Sequence, residues 1–99
     1  MNLPPDSEVR RVRARGLVQG VGFRESCVAY ARANGVAGWV RNRSDGSVEA
    51  MLQGPPALLD RMCDWLRHEV PCAHVDALDV AIVAPPLEHL TGFERRPTL

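Results

Sequence analysis

The sequence predicts an α+β domain of β-α-β-β-α-β order, the split arrangement of a ferredoxin-like α/β sandwich with both helices on one face of an antiparallel sheet. Three observations carry that prediction. Two stretches, Phe23 to Asn34 and Pro55 to about His68, have apolar residues at helical spacing, and strand-like segments flank each of them. Asp45-Gly46 marks a tight hairpin between the two middle strands. The chain has 99 residues, enough for one such domain and too few for two.

Residues 1–8 contain Pro4-Pro5 and lack a basic region followed by an apolar run, so they read as a loose N-terminal tail and not a signal peptide. The domain itself is expected over 9–99. Val9 to Val18 reads as the first strand: Val12, Ala14 and Gly16 alternate with Arg11, Arg13 and Arg15, giving one apolar and one basic face. The basic face is either a solvated sheet surface or an attractor of anions. A glycine-rich loop leads to the first helix, where Phe23, Cys27, Tyr30 and Ala31 form one stripe. Asn34-Gly35 supplies the stop, glycine suiting the left-handed position after a last turn. Val36 to Asn42 is the second strand, and Gly38 beside Trp39 signals close packing or a bend. Ser47 to Gln53 returns as the third, with Val48, Ala50 and Leu52 on one face. Leu58, Leu59, Met62, Trp65 and Leu66 make the apolar side of the second helix, which Val70-Pro71 ends. Val75 to Val83 is the fourth strand, carrying Val75, Leu78, Val80 and Ile82, and Pro85-Pro86 forbids its continuation. Phe93 to Pro97 has room for a short edge strand.

Composition removes several classes of function. Twelve basic and twelve acidic residues balance to zero net charge, against the positive excess of a dedicated nucleic-acid binder. Every basic residue is arginine, so Schiff-base, Walker-type and lysine-base chemistry are excluded. No apolar run approaches a membrane span. Cys27, Cys63 and Cys72 are odd in number and expected to be free. Cys63, His68, Cys72 and His74 lie close in sequence but fit no standard zinc spacing, so no metal and no cofactor is expected. His68, His74 and His89 read as surface residues. The expectation is a soluble cytoplasmic monomer, the charges Glu94, Arg95 and Arg96 and Pro97 blunting the last edge.

The chemistry concentrates in Gly16-Leu17-Val18-Gln19-Gly20-Val21-Gly22-Phe23-Arg24. Glycines at 16, 20 and 22 allow backbone N–H groups to converge on one anion. A helix N-terminus follows, adding unpaired N–H groups and the positive end of its dipole. Arg24 adds a full charge in a planar fork suited to phosphate or carboxylate. The same residues would also serve as a plain strand-to-helix turn. Asn42, closing the second strand, can orient water but is no strong base. The topology places Arg24 and Asn42 at the C-terminal ends of strands read here as adjacent and parallel. An anion cradle, an arginine and an amide without a base suit transfer of a reactive phosphoryl group to water.

These residues resemble the signature of the acylphosphatase family. The likeness extends to Gly38-Trp39-Val40-Arg41-Asn42, Asp45-Gly46-Ser47-Val48-Glu49-Ala50, Gln53-Gly54 and the closing Phe93…Pro97-Thr98, covering roughly residues 9–98. It implies hydrolysis of acyl phosphates to carboxylate and inorganic phosphate without a metal. It further implies a phosphate-binding loop at Gln19, Gly20, Val21, Gly22, Phe23 and Arg24, with Arg24 catalytic and Asn42 holding the attacking water. Phosphate or sulfate would then be the expected site ligands. Arg43 stands where the family often has threonine, either adding charge near the site or pointing to solvent. Glu69-Val70-Pro71 replaces a frequent glycine turn. Such domains also occur within larger hydrogenase-maturation proteins, where carbamoyl phosphate is the implied substrate; a chain ending at Leu99 is expected to be free-standing. The rival reading is a binding module of the same strand order, for RNA or another anionic ligand, without catalysis.

Overall fold

The computed structural model describes residues 7–85 and 87–99. Elements follow in the order β1 (Glu8–Leu17), α1 (Phe23–Asn34), β2 (Ala37–Asn42), β3 (Val48–Gly54), α2 (Pro56–His68), β4 (His74–Ile82) and β5 (Phe93–Arg95). Most of the proposed tail, residues 1–6, lies outside the described residues, as does Pro86 of the Pro85-Pro86 stop; β1 already starts at Glu8. No helix among the described residues is long and apolar enough to cross a membrane.

The five strands form one sheet in the order β4-β1-β3-β2-β5. Two expectations are corrected here. β1 and β2 are parallel but not adjacent, because β3 lies between them and pairs antiparallel with both. Each β-α-β unit leaves a one-strand gap, and a strand of the other unit fills it. The sheet is also not wholly antiparallel, since β5 pairs parallel with β2.

Sheet register puts Val12, Ala14, Val40, Val48, Ala50 and Leu52 on the face covered by the helices. Phe23, Cys27 and Ala31 of α1 and Leu59, Met62, Cys63 and Leu66 of α2 pack onto them. This is the stripe that the helical spacing predicts, and its burial drives the assembly. Tyr30 and Trp65 stack between the helices with ring centroids 4.4 Å apart. Arg10 shares the core face. Its Nε donates to Glu8 Oε2 at 2.9 Å and its Nη1 to Asp60 Oδ1 at 2.6 Å, tying β1 to α2.

β4 departs from its apolar reading. Val75 and Leu78 touch the core, but Ile82 is 67 % exposed. β4 is an edge strand, and α2 covers only part of it. β1 departs at its end: a register shift between Arg15 and Gly16 leaves Gly16 and Leu17 exposed while Val18 turns inward and is buried. The opposite sheet face carries the arginines. Arg41 Nε donates to Glu49 Oε1 at 2.8 Å, Arg13 lies 3.9 Å from Glu49 Oε2, and Arg15 Nε donates to Asp79 at 3.1 Å. Arg13 and Arg15 on the basic face of β1 are thus matched by carboxylates from β3 and β4.

Gly38 stands where there is no room between β2 and β3 for a side chain. Its φ is +145°, and a Cβ there would stand 1.8 Å from Met51 O. Gly38→Ala should therefore destabilise the domain by about 3 kcal/mol or more, measured by denaturant unfolding, because backbone has to move. The thiols give a second check. Cys27 and Cys63 are buried and Cys72 is exposed; burial pushes the Cys27 thiol up to about 12. In the folded protein a thiol reagent at pH 8 should modify Cys72 alone, with Cys27 and Cys63 reacting only on unfolding.

Candidate active site

The bulge at the end of β1 and the buried side chain of Val18 bring the chain under the start of α1. From there the backbone climbs through two left-handed glycines, Gly20 at φ +76° and Gly22 at φ +80°. No atom stands within 4 Å of where a Cβ would be at either glycine, so it is the backbone conformation that demands glycine. Gly22 caps α1 through its carbonyl, which accepts from Ser26 N–H at 3.0 Å, and no side chain caps the helix. Among the described residues, no backbone carbonyl outside the helix and strand ladders accepts from the N–H groups of Gln19 to Glu25. These donors line the turn and the first helical turn, as an anion cradle requires.

Arg24 stands in that first turn, partly exposed, and Glu25 beside it is turned to Arg95. Asn42 ends β2 on the other side. A cavity of about 220 Å³ is lined by Val18, Gly20, Gly22, Phe23, Arg24, Glu25, Asn42 and Arg95. Of the residues singled out by sequence, Gly20, Gly22, Phe23, Arg24 and Asn42 are brought together there. Val21 instead packs against the core. The Gln19 side chain also turns away: Nε2 donates to Arg43 O at 2.8 Å and to Ser47 O at 2.9 Å. Gln19 thereby pins the glycine loop to the β2–β3 turn, whose first residue follows Asn42. The turn is itself set by Asp45, whose Oδ1 accepts from Ser47 N–H at 2.9 Å and from Ser47 Oγ at 2.6 Å. Those bonds, with Arg13 and Arg15 nearby, hold the Asp45 carboxyl below its ordinary pKa.

Sequence reasoning missed Arg95 and Glu25 as cavity residues. Arg95 reads as an edge charge, and only the parallel pairing of β5 beside β2 brings it to the site. Arg43 meets neither expectation: its Nη1 lies 3.4 Å from Glu49 Oε1, sharing that carboxylate with Arg41. Cys72 is exposed in the turn after α2 at φ +63°. His68, His74 and His89 are all exposed. Cys63 is buried while His68, Cys72 and His74 are not, and no group of three metal-ligating side chains exists among the described residues.

Backbone N–H groups without a backbone acceptor, a guanidinium and a carboxamide thus border one small cavity at the end of a ferredoxin-like sheet. The acylphosphatase family profile matches residues 10–95. An acylphosphatase of Polaromonas naphthalenivorans is 56 % identical over 88 residues, covering 89 % of this chain and 87 % of that protein. Acylphosphatase 1 of Ralstonia nicotianae is 56 % identical over 90 residues, covering 91 % and 88 %. The solved structure of an acylphosphatase from Coxiella burnetii superimposes with a TM-score of 0.85 at 31 % identity, covering 92 % of this chain and 94 % of that one. The chain belongs to the acylphosphatase family.

The Gln19 clasp makes a prediction independent of activity. Gln19→Leu removes both hydrogen bonds and should lower stability by about 1–2 kcal/mol in thermal or denaturant unfolding. Where the protein stays folded, it should also weaken phosphate binding, because the loop loses its tie to the β2–β3 turn.

Proposed function

We propose that this chain hydrolyses acyl phosphates to carboxylate and inorganic phosphate in the cavity between the glycine loop and Asn42. The observation that supports this most is the meeting of Gly20, Gly22, Phe23, Arg24 and Asn42 around one cavity, on elements far apart in sequence. Family membership adds the acyl phosphate as substrate class.

In this reading the loop and helix N–H groups and the Arg24 guanidinium hold the phosphoryl oxygens, where charge changes most during transfer. The Asn42 carboxamide accepts a hydrogen bond from a water and so aims its oxygen at phosphorus. The water O–P bond forms as the P–O bond to the acyl carbon breaks, and the acyl group departs as a carboxylate. That carboxylate is a good leaving group, so no general acid is needed. A phosphoryl oxygen takes the water's proton, so no enzymic base is needed either. The enzyme's share is positioning and electrostatics, both available from residues present. We further propose a cytoplasmic, monomeric protein that acts without a metal ion, with phosphate or sulfate competing for the cradle and with no nucleic-acid partner. The rival RNA-binding module finds little support on the sheet. Trp39 is 6 % exposed, with Arg41 and Arg96 guanidinium carbons 4.7 and 4.8 Å from its ring centroid, and offers no open stacking platform.

Benzoyl phosphate should be hydrolysed by the purified protein in excess EDTA. Arg24→Ala should lower kcat/KM by about 10²–10³-fold, the worth of one preorganised donor or more. Asn42→Ala should act on kcat with little change in inorganic phosphate inhibition, because it holds water and not the phosphoryl group. Full activity in Arg24→Ala would remove the assigned roles, and no turnover by the unaltered protein would remove the reading itself.

A further inference from the structure

Three charged side chains border the cavity, Arg24, Glu25 and Arg95, and the reaction above uses only the first. Glu25 and Arg95 form an ion pair whose side chains are 65 % and 50 % exposed. Arg95 reaches the cavity because it pairs with Val40 in the parallel β2–β5 ladder, two residues before Asn42. The strand has other anchors. Phe93 is buried against the core, Arg32 of α1 donates to Phe93 O at 3.1 Å, and Arg96 N–H donates to Val40 O at 2.8 Å. An exposed ion pair is a weak stabiliser and opens at little cost. Attachment of β5 therefore does not account for a second guanidinium at the edge of an anion cradle.

The Glu25 carboxylate shows what that guanidinium does there: it holds a carboxylate, in this case one supplied by the chain itself. The inner wall of the cavity includes Val18 and Phe23, which are 1 % and 3 % exposed. An acyl group attached to a phosphoryl group in the cradle therefore has to leave on the solvent side, where Glu25 and Arg95 stand. We propose that Arg95 is a specificity-determining residue for acyl phosphates whose acyl part carries a second carboxylate, and that Glu25 is the internal carboxylate which that group displaces. This rests on the phosphoryl site described above. When the exchange occurs, Arg95 keeps a carboxylate partner and Glu25 passes into water, so no charge is left buried without a partner. A neutral acyl group leaves the pair closed.

The test compares benzoyl phosphate with 3- and 4-carboxybenzoyl phosphate. Their rigid rings cannot cyclise to an internal anhydride, and they set the second carboxylate at two reaches. The quantity read is kcat/KM for the better carboxylated substrate divided by that for benzoyl phosphate. Arg95→Ala should lower this ratio about three- to fivefold, mainly through KM, and Arg95→Lys should recover part of it. Glu25→Gln removes the competing carboxylate and should raise the ratio severalfold. Both effects should shrink as ionic strength rises from about 0.02 to 0.5 M. A ratio that neither Arg95→Ala nor Glu25→Gln moves by more than about twofold overturns the proposal. Glu25→Gln alters only an exposed side chain, so its result decides the matter even where Arg95→Ala fails to fold. Failure of the unaltered protein to hydrolyse benzoyl phosphate at all is a different outcome, and it would overturn the phosphoryl-site reading and this one with it.

Discussion

The site depends on the register of β3 between β1 and β2. Val48 pairs with Ala14 on one side and with Asn42 on the other. That single residue sets the end of β2 level with the last regular part of β1, where the chain turns into the glycine loop. Strand side chains alternate faces, so a slip of one residue would turn Asn42 to the other face and expose Val48, Ala50 and Leu52 together. The hydrophobic core thus enforces the register, and the register brings the amide to the cavity lined by the glycine loop. Gln19 reinforces the same relation locally, since its two hydrogen bonds run from the loop to the turn just after Asn42.

Charge is organised locally although it sums to zero. Arg10, Arg13, Arg15, Arg41 and Arg43 each have a carboxylate within 4.0 Å. Glu49 alone, with its side chain 7 % exposed, is shared by Arg13, Arg41 and Arg43. All these arginines but Arg10, which ties β1 to α2 on the core face, are neutralised on the outer sheet face and hold neighbouring strands together. At the cavity the balance differs. Arg24 borders the cavity while the adjacent carboxylate, Glu25, is engaged by Arg95. Net charge describes solubility and long-range steering, whereas an oxyanion site is governed by charges within a few ångströms.

Much of this was legible in the chain. The helix spans followed from apolar spacing, with Asn34-Gly35 ending the first helix and Pro55-Pro56 opening the second, all local signals. Gly20, Gly22 and Arg24 were readable because a left-handed turn demands glycine and leaves its mark in the sequence. Gln19 and Val21 were read as loop residues, but the direction of each side chain was beyond reach: one finds carbonyls on the β2–β3 turn, the other the core. The exposure of Val80 and Ile82 was hidden for a similar reason. An apolar alternation shows which residues share a face, and it does not show how far a helix extends over an edge strand.

The amino-acid sequence by itself determined the element types, the core stripes, the glycine-rich loop and the family resemblance, because each is encoded in spacing over a few residues or in an extended motif. The tertiary structure decided the rest. It inserted β3 between β1 and β2, ran β5 parallel to β2, assigned Glu49 to three arginines and brought Arg95 and Glu25 to the cavity beside Arg24 and Asn42. Those outcomes join residues as much as 71 positions apart, 24 to 95. Pairings at such range are chosen by the packing of the whole sheet, and no local pattern in the chain records them.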